Sequence, residues 1–309
     1  MQFLITGGAG FIGSHLTDKL LLDGHHVVVI DNLSTGNRRN LPNHPRLRFI
    51  EKNILDCKPE DFSEKFDAIA HLAATASVPS SWLYPLDTHE NNLSATVWVI
   101  ELCQKLSIPR LVYTSSAAIY GEQTELPITE NHLPNPIAPY GWQKLFSEQY
   151  AYLFSQRFGF SFIGLRLFNV FGPRQIPDSS YSGVISIFVN AMQQNQSITI
   201  YGDGEQTRDF VYVQDVATAL SDALTKPLNS NFYSICNIGT GISTSLVELV
   251  DIVSKCFPNW SGSIKLEPAR FGDIRRSQSD ITRAYDILGF VPKISIQSGI
   301  EHLVRSLND

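Results

Sequence analysis

The chain has 309 residues, of which 43% are hydrophobic, 17% charged and 11% aromatic, with 20 Gly and 16 Pro. These values exclude a disordered or fibrous chain and provide enough length for two domains, or one large α/β unit, around a real core. Lys and Arg number 24 against 30 Asp and Glu, a net charge of −6, which argues against a broad nucleic-acid or anionic-membrane footprint and leaves any anion binding local.

No apolar run approaches the roughly 20 residues that cross a bilayer. The N-terminal Met-Gln-Phe-Leu-Ile-Thr-Gly-Gly reaches glycine too soon for a signal-peptide core, so the cytoplasm is the expected compartment. Cys57, Cys103, Cys236 and Cys256 are far apart, with no Cys-x-x-Cys pair and no nearby His. They read as reduced packing residues, and no metal site is expected.

In chain order, short apolar runs at residues 2–6, 26–30, 47–50, 67–71, 110–114 and 161–165 read as strands. Residues 11–22, 88–106 and 140–158 carry a helical period. This βαβ rhythm predicts an α/β fold, a Rossmann-like doubly wound parallel sheet with helices on both faces. Beyond about Asn169 the pattern loosens into loops rich in Gly, Pro and Ser. We therefore expect a dinucleotide-binding domain over residues 1–168 and a smaller α/β substrate lobe over residues 169–309, with segments near 208–240 returning to the first sheet.

Gly7-Gly8-Ala9-Gly10-Phe11-Ile12-Gly13 follows the first strand and opens the first helix. Gly7 permits the tight turn, Gly10 lets the backbone approach a pyrophosphate, and Gly13 lets the helix sit close to the strand. The amides at the helix start then face the phosphates. Asp31 ends the second strand about 20 residues on, where a carboxylate accepts ribose hydroxyls and repels a 2′-phosphate, favouring NAD over NADP. Arg38 and Arg39 weaken that preference unless they form a solvated surface pair. His15, His25 and His26 lie on the first helix and the turn after it, and read as solvated or capping residues.

Tyr140 and Lys144 stand at i and i+4 on one helical face. A Lys charge beside a phenol, with a cationic nicotinamide ring, favours the phenolate and makes it a usable base. Thr114-Ser115-Ser116 ends a strand at the edge where ligands collect in an open parallel sheet, and a hydroxyl there can relay a proton between substrate and Tyr140.

Taken together, Thr6 to Gly13, Asp31-Asn32, His71 to Ala74, Thr114 to Gly121, the Tyr140/Lys144 pair, Leu165 to Gly172, Tyr201 to Tyr212, Asn237 to Thr240 and Arg270 to Ser277 resemble the nucleotide-sugar branch of the extended short-chain dehydrogenase/reductase superfamily. The resemblance covers nearly the whole chain and is greatest to UDP-hexose 4-epimerases. It implies an NAD-dependent enzyme in which Tyr140, aided by Ser116, takes the proton from the sugar O4 hydroxyl while the C4 hydride passes to NAD. A 4-keto sugar then turns over in the site and is reduced on its other face, inverting C4. Lys144 is implied to bind the nicotinamide ribose and tune Tyr140.

The resemblance also implies that NAD contacts Gly7, Gly10, Phe11, Ile12, Gly13, Asp31, Asn32, Ser34, Thr35 and Gly36. Asn53, Ile54, Leu72, Ala73, Ala74, Asn92 and Thr114 complete that set, with Tyr140 and Lys144. Asn53 departs from the family, which usually places an Asp there against the adenine amino group. An amide oxygen still accepts that bond, so a weaker grip is expected.

For the UDP-sugar the implied contacts are Ser77, Ser116, Tyr140, Asn169, Val184, Tyr201, Arg208, Arg270, Asp273 and Ser277. Arg208 and Arg270 match diphosphate ligands, whose oxygens suit a planar guanidinium fork. Ser277 matches the position that gates the sugar C2 substituent. A bulky Tyr there restricts relatives to glucose and galactose, whereas Ser leaves room for an N-acetyl group.

Related 4,6-dehydratases and UDP-glucuronate decarboxylases carry an acid just after the strand-end hydroxyl. Here Ala117 and Ala118 stand there, and Glu122, the nearest carboxylate, is expected out of reach. A dehydratase or decarboxylase using an unusual acid is the alternative reaction, and a non-catalytic NAD-binding regulator the alternative class. The family's homodimer pairs helices near residues 88–106 and 140–158. Leu93, Val97, Ile100 and Leu145 would serve that interface or the core equally well.

Overall fold

The computed structural model describes residues 1–176, 183–229, 231–269 and 272–307. Arg270 and part of the Gly172 to Gly183 loop lie outside them. The first half alternates β1 (Gln2–Thr6), α1 (Phe11–Leu22), β2 (His26–Asp31), β3 (Leu47–Glu51) and β4 (Ala68–His71). Then come α2 (Val78–Leu83), α3 (Pro85–His89), α4 (Ala95–Lys105), β5 (Arg110–Ser116), α5 (Pro139–Phe158) and β6 (Ser161–Leu167).

The β-branched run Val27-Val28-Val29-Ile30 shows why these segments are strands: both faces are buried, as a parallel sheet covered by helices requires. Odd residues such as Phe3, Ile5, Val27 and Val29 pack under α1, and even ones such as Leu4, Val28 and Ile30 pack under α4. Asp67, expected in the fourth strand, instead stops just short of it and accepts the Gln2 amide at 2.7 Å.

The second half contains β7 (Asn169–Phe171), α6 (Val184–Gln193), β8 (Ile198–Tyr201), β9 (Thr207–Tyr212), α7 (Val213–Thr225) and β10 (Tyr233–Ile238). It ends with β11 (Ser243–Ser245), α8 (Leu246–Ser254), β12 (Ile264–Glu267), α9 (Thr282–Leu288) and α10 (Ile296–Ser306). The main sheet has seven parallel strands in the order β10-β6-β5-β4-β1-β2-β3. Strand order reverses between β1 and β4, and the crevice at that reversal is where open α/β sheets bind ligands.

Of the segments near 208–240, β10 and α7 are the ones that return. β10 closes one edge of the sheet, and α7 supplies Val216, Leu220 and Leu224 to the face that α1 covers. β9 stays in a separate three-stranded sheet, β11-β9-β7, over a second core that includes Phe171, Phe188, Phe210, Tyr212, Leu249 and Ile300.

The buried Asp209 carboxylate joins three late segments. It accepts the Thr240 amide and hydroxyl at 2.7 Å each, the Gly241 amide at 3.0 Å, and the Ser279 amide and hydroxyl at 3.0 and 2.5 Å. A buried carboxylate is tolerated when donors saturate it in this way.

Candidate active site at the sheet edge

The turn after β1 is built for close approach. Gly7 has φ +73°, and a Cβ there would lie 2.7 Å from the Ala73 nitrogen, so only glycine lets the turn sit against residues 72–74. A Cβ on Gly13 would run into the Gly7 carbonyl. Gly10 caps α1 without a side chain, so the first-turn amides of Phe11, Ile12 and Gly13 meet no capping group.

Asp31 uses one oxygen for the Ala9 amide at 2.9 Å and the other for the Leu33 amide at 2.8 Å, which aims the carboxylate across the turn. A Cβ on Gly36 would come within 2.8 Å of Asp31 Oδ1, so the glycine keeps that oxygen approachable. Asn32, Ser34 and Thr35 are exposed beside it, and Asn32 Oδ1 accepts the Ser34 amide at 3.1 Å.

Asn53 Oδ1 accepts the Leu55 amide at 3.1 Å, so a lone pair on that oxygen is already committed to the local turn. Ile54 buries its side chain in the core, which leaves only its backbone for a ligand. Arg38 donates to the Leu41 carbonyl at 3.0 Å and lies 5.1 Å from the Phe49 ring centroid, a local surface role.

Beneath the turn, His71 ties strands to helix. Thr96 Oγ1 donates to the Asn92 carbonyl at 2.6 Å, so it accepts from His71 Nε2 at 3.1 Å. Nδ1 then accepts from Thr6 Oγ1 at 2.6 Å, and Thr6 in turn accepts the Ala73 amide at 3.3 Å. Burial, reinforced by the Lys144 charge, pushes this imidazole down to about 3, so it is neutral at physiological pH.

The helix expected over residues 88–106 starts three residues earlier, at Pro85, and widens into a π-helical turn over Glu90–Ser94. That turn carries Asn92, whose Oδ1 accepts the Thr75 amide at 2.7 Å. Its Nδ2 donates to Gln143 Oε1 at 2.7 Å and to the Thr75 carbonyl at 3.2 Å. Asn92 thereby braces the loop after Ala74 against α5. Ser77 opens α2, accepting the Ser80 amide at 3.1 Å.

Tyr140 and Lys144 sit on the buried face of α5, as their spacing requires. Ser116, at the end of β5, stands near enough to Tyr140 to act on its phenol. Burial pushes the phenol up to about 12, and the Ser116 hydroxyl opposes that. Ser116 Oγ also accepts the Ala118 amide at 3.2 Å, which fixes its position. Lys144 Nζ donates to the Thr114 carbonyl at 2.8 Å and lies 5.8 Å from the Tyr140 ring centroid. Burial brings its ammonium down to about 7, and Glu148 one turn further on opposes that. Thr114 Oγ1 donates to the His71 carbonyl at 3.1 Å.

Toward the second sheet, Arg208 donates to the Thr207 carbonyl at 2.8 Å and pairs with Asp273. Glu122 adds negative charge to Arg208 and accepts the Arg275 amide at 2.7 Å, so it faces this cluster. Arg275 grips Asp203 with both Nη atoms, at 2.6 and 3.0 Å. Tyr201 ends β8 and its carbonyl accepts Gln206 Nε2 at 2.6 Å. Asn169 is exposed at the start of β7, Val184 opens α6, and Ser277 is buried with its carbonyl accepting the Ser243 hydroxyl at 3.1 Å.

Thr75, Gln143, Glu148 and Arg166 were not singled out from sequence. Glu148 alone carried a signal, its i+4 spacing from Lys144. Among the described residues no group of three or more His, Cys, Asp and Glu is arranged to hold a metal, and no helix is long and apolar enough to cross a membrane.

A family model for the NAD dependent epimerase/dehydratase family matches residues 3–239. The chain belongs to that family. NAD is accordingly the cofactor of this epimerase/dehydratase-family enzyme, and the Gly7–Gly13 turn, the bare start of α1 and the Asp31 carboxylate fit its pyrophosphate and adenosine ribose.

The structure is similar to that of the UDP-N-acetylglucosamine 4-epimerase from Methanobrevibacter ruminantium in complex with UDP-N-acetylmuramic acid. The TM-score is 0.94 and the identity 36%, over 99% of this chain and 98% of that one. It is also similar to UDP-glucose 4-epimerase from Thermotoga maritima with UDP-glucose, with a TM-score of 0.93 and 37% identity over 100% and 99% of the two chains. UDP-glucuronic acid decarboxylase 1 of Xenopus tropicalis is 33% identical over 312 residues, covering 98% of this chain and 71% of that protein.

Proposed function

We propose that the protein interconverts the C4 epimers of a UDP-sugar, UDP-N-acetylglucosamine and UDP-N-acetylgalactosamine and also the plain UDP-hexoses, through a 4-keto sugar. One observation carries this reading. The buried Tyr140 and Lys144 and the half-buried Ser116 stand at the sheet edge beside the nucleotide turn, and no acid follows at Ala117 or Ala118. Inverting C4 needs one proton acceptor at O4 that later returns the proton, whereas expelling water from the sugar needs a further acid.

Bound NAD supplies a reversible hydride acceptor. Tyr140 takes the O4 proton and gives it back, Ser116 bridges O4 to the phenol, and Lys144 holds the positive charge that makes the phenolate accessible. Arg208 exchanges Asp273 for the substrate diphosphate, with Arg270 as its partner. Asn169, Val184, Tyr201 and Ser77 contact the nucleotide sugar. Ser277 leaves the C2 side open to an acetamido group, a reading in keeping with the relative that binds UDP-N-acetylmuramic acid.

On the same reading, residues 1–168 with α7 and β10 form the cofactor unit, and the remaining chain from residue 169 forms the sugar-nucleotide lobe. The enzyme works in the cytoplasm as a homodimer. Trp142, Phe146, Tyr150 and Leu153 are exposed along α5, near Leu83 and Leu86, and a second copy of this apolar face would cover them. Ile100, a sequence candidate for that face, is fully buried in the core and contributes nothing to it.

The test is incubation with each UDP-hexose and UDP-N-acetylhexosamine without added cofactor, followed by proton NMR of the sugar. A C4-inverted product supports the epimerase. A keto-deoxy sugar would instead support a dehydratase, and a pentose the decarboxylase chemistry named for a relative.

A further inference from the structure

Tyr140, Lys144 and Glu148 occupy i, i+4 and i+8 of α5, so all three project from one face toward the sheet. Glu148 is fully buried and takes no part in the steps above. Its Oε1 accepts the Ser115 hydroxyl at 2.5 Å and Arg166 Nε at 3.0 Å, while Oε2 accepts Arg166 Nη2 at 2.7 Å. Arg166 in turn lies 4.8 Å from the Tyr120 ring centroid, and Tyr120 donates to Asn237 Oδ1 at 2.6 Å.

Ser115 lies between two residues on which the chemistry depends. Its predecessor, Thr114, gives its carbonyl to Lys144, and its successor, Ser116, acts on the Tyr140 phenol. Ser115 is anchored by Glu148 and Ser116 by the Ala118 amide at 3.2 Å, so two successive side chains fix the strand end.

We propose that Glu148 is a positioning residue for the proton-transferring pair: its carboxylate locks the end of β5 to the third turn of α5 and sets a negative charge one turn from the Lys144 ammonium. The inference rests on the reading of Tyr140 and Lys144 given above. The other titratable groups around the pair are Tyr113, whose ring centroid is 4.7 Å from Lys144 Nζ, neutral His71 on β4, Arg166 on β6, and Tyr120 and Tyr233 near the Glu148 charge. Arg166 compensates the charge of Glu148, yet of the two only Glu148 acts on Lys144, whose ammonium it favours.

Two variants of the full chain separate the lock from the charge. Glu148→Gln keeps an acceptor for Ser115 and removes the charge. Lys144 should then lose its proton at lower pH. The alkaline limb of the kcat/KM profile moves down by about one pH unit, which is about tenfold in activity on that flank and much less at the optimum. Ser115→Ala leaves every charge in place and should lower kcat several-fold at all pH values with the limbs and KM unmoved.

NAD affinity measured by calorimetry between pH 6 and 9 gives a second readout. Its pH dependence should shift in Glu148→Gln and not in Ser115→Ala. A Glu148→Gln profile parallel to wild type in both measurements, with only a lower melting temperature, would overturn the charge role. Wild-type kcat in Ser115→Ala would overturn the lock, and that variant decides the matter if the Gln variant does not fold. Should the wild type convert no UDP-sugar, the epimerase reading falls, while NAD affinity still tests Glu148.

Discussion

Replacing Tyr140 by Phe removes one oxygen from a side chain that is 9% exposed and leaves the shape of the pocket unchanged. With its phenol pushed up to about 12 by burial, Tyr140 would be ionised in about one molecule in 10⁴ at pH 8. A working base there must come down by about four pH units, on the order of 5 kcal/mol. Lys144 Nζ lies 5.8 Å from the ring centroid, and a unit charge at that separation contributes about 3 kcal/mol in an effective dielectric of about 20. That is roughly half of what is needed, and the positive charge of the bound cofactor is left to provide the rest. The two groups titrate as a pair, so each helps the other to ionise. Turnover measured by NMR from pH 6 to 10 at saturating NAD should rise along an acid limb that moves up by about two pH units in Lys144→Met. Tyr140→Phe should bind NAD normally and lose about 10²–10⁴-fold in kcat. A limb unmoved in Lys144→Met, or Tyr140→Phe activity within tenfold of wild type, would refute this reasoning.

Three other outcomes are expected. His71 takes a proton near 6.5 when unfolded but only near 3 when folded, so stability present above pH 6.5 is lost as pH falls, by about 2 kcal/mol at pH 5; urea midpoints should show this, with a smaller drop in His71→Gln. Ser277→Tyr should suppress turnover of the acetamido sugars while the plain hexoses continue, and equal loss on both, at an unchanged melting temperature, would sink the gate. Phe146→Glu places a charge in the exposed apolar face of α5 and should shift the protein from dimer to monomer in sedimentation; an unchanged mass would contradict the proposed interface.

The parallel strands were legible because a fully buried strand must be apolar throughout, and Val27 to Ile30 can be little else. The glycine turn was legible because close backbone approach leaves no room for Cβ at Gly7 or Gly13. α5 shows where such reading fails. Its inner face carries Tyr140, Gln143, Lys144, Ser147 and Glu148, while Trp142, Phe146 and Leu153 face outward, so its polarity is the reverse of an ordinary surface helix. The spacing of Tyr140 and Lys144 identified the face, but not what stood behind it. The π-helical turn at Asn92 depends on a loop 17 residues earlier, at Thr75. The Asp209 junction depends on donors 31 to 70 residues later, at Thr240, Gly241 and Ser279. Neither has a local period. Glu122 was expected to lie out of reach, and it is turned toward Arg275 and Arg208.

In the proposed reaction a hydride leaves C4 and returns to the same carbon without exchange. A UDP-sugar carrying deuterium at C4, incubated with the enzyme in ordinary water and no added NAD, should give a C4 epimer that still carries deuterium at C4. An epimer with solvent hydrogen at that carbon would contradict it.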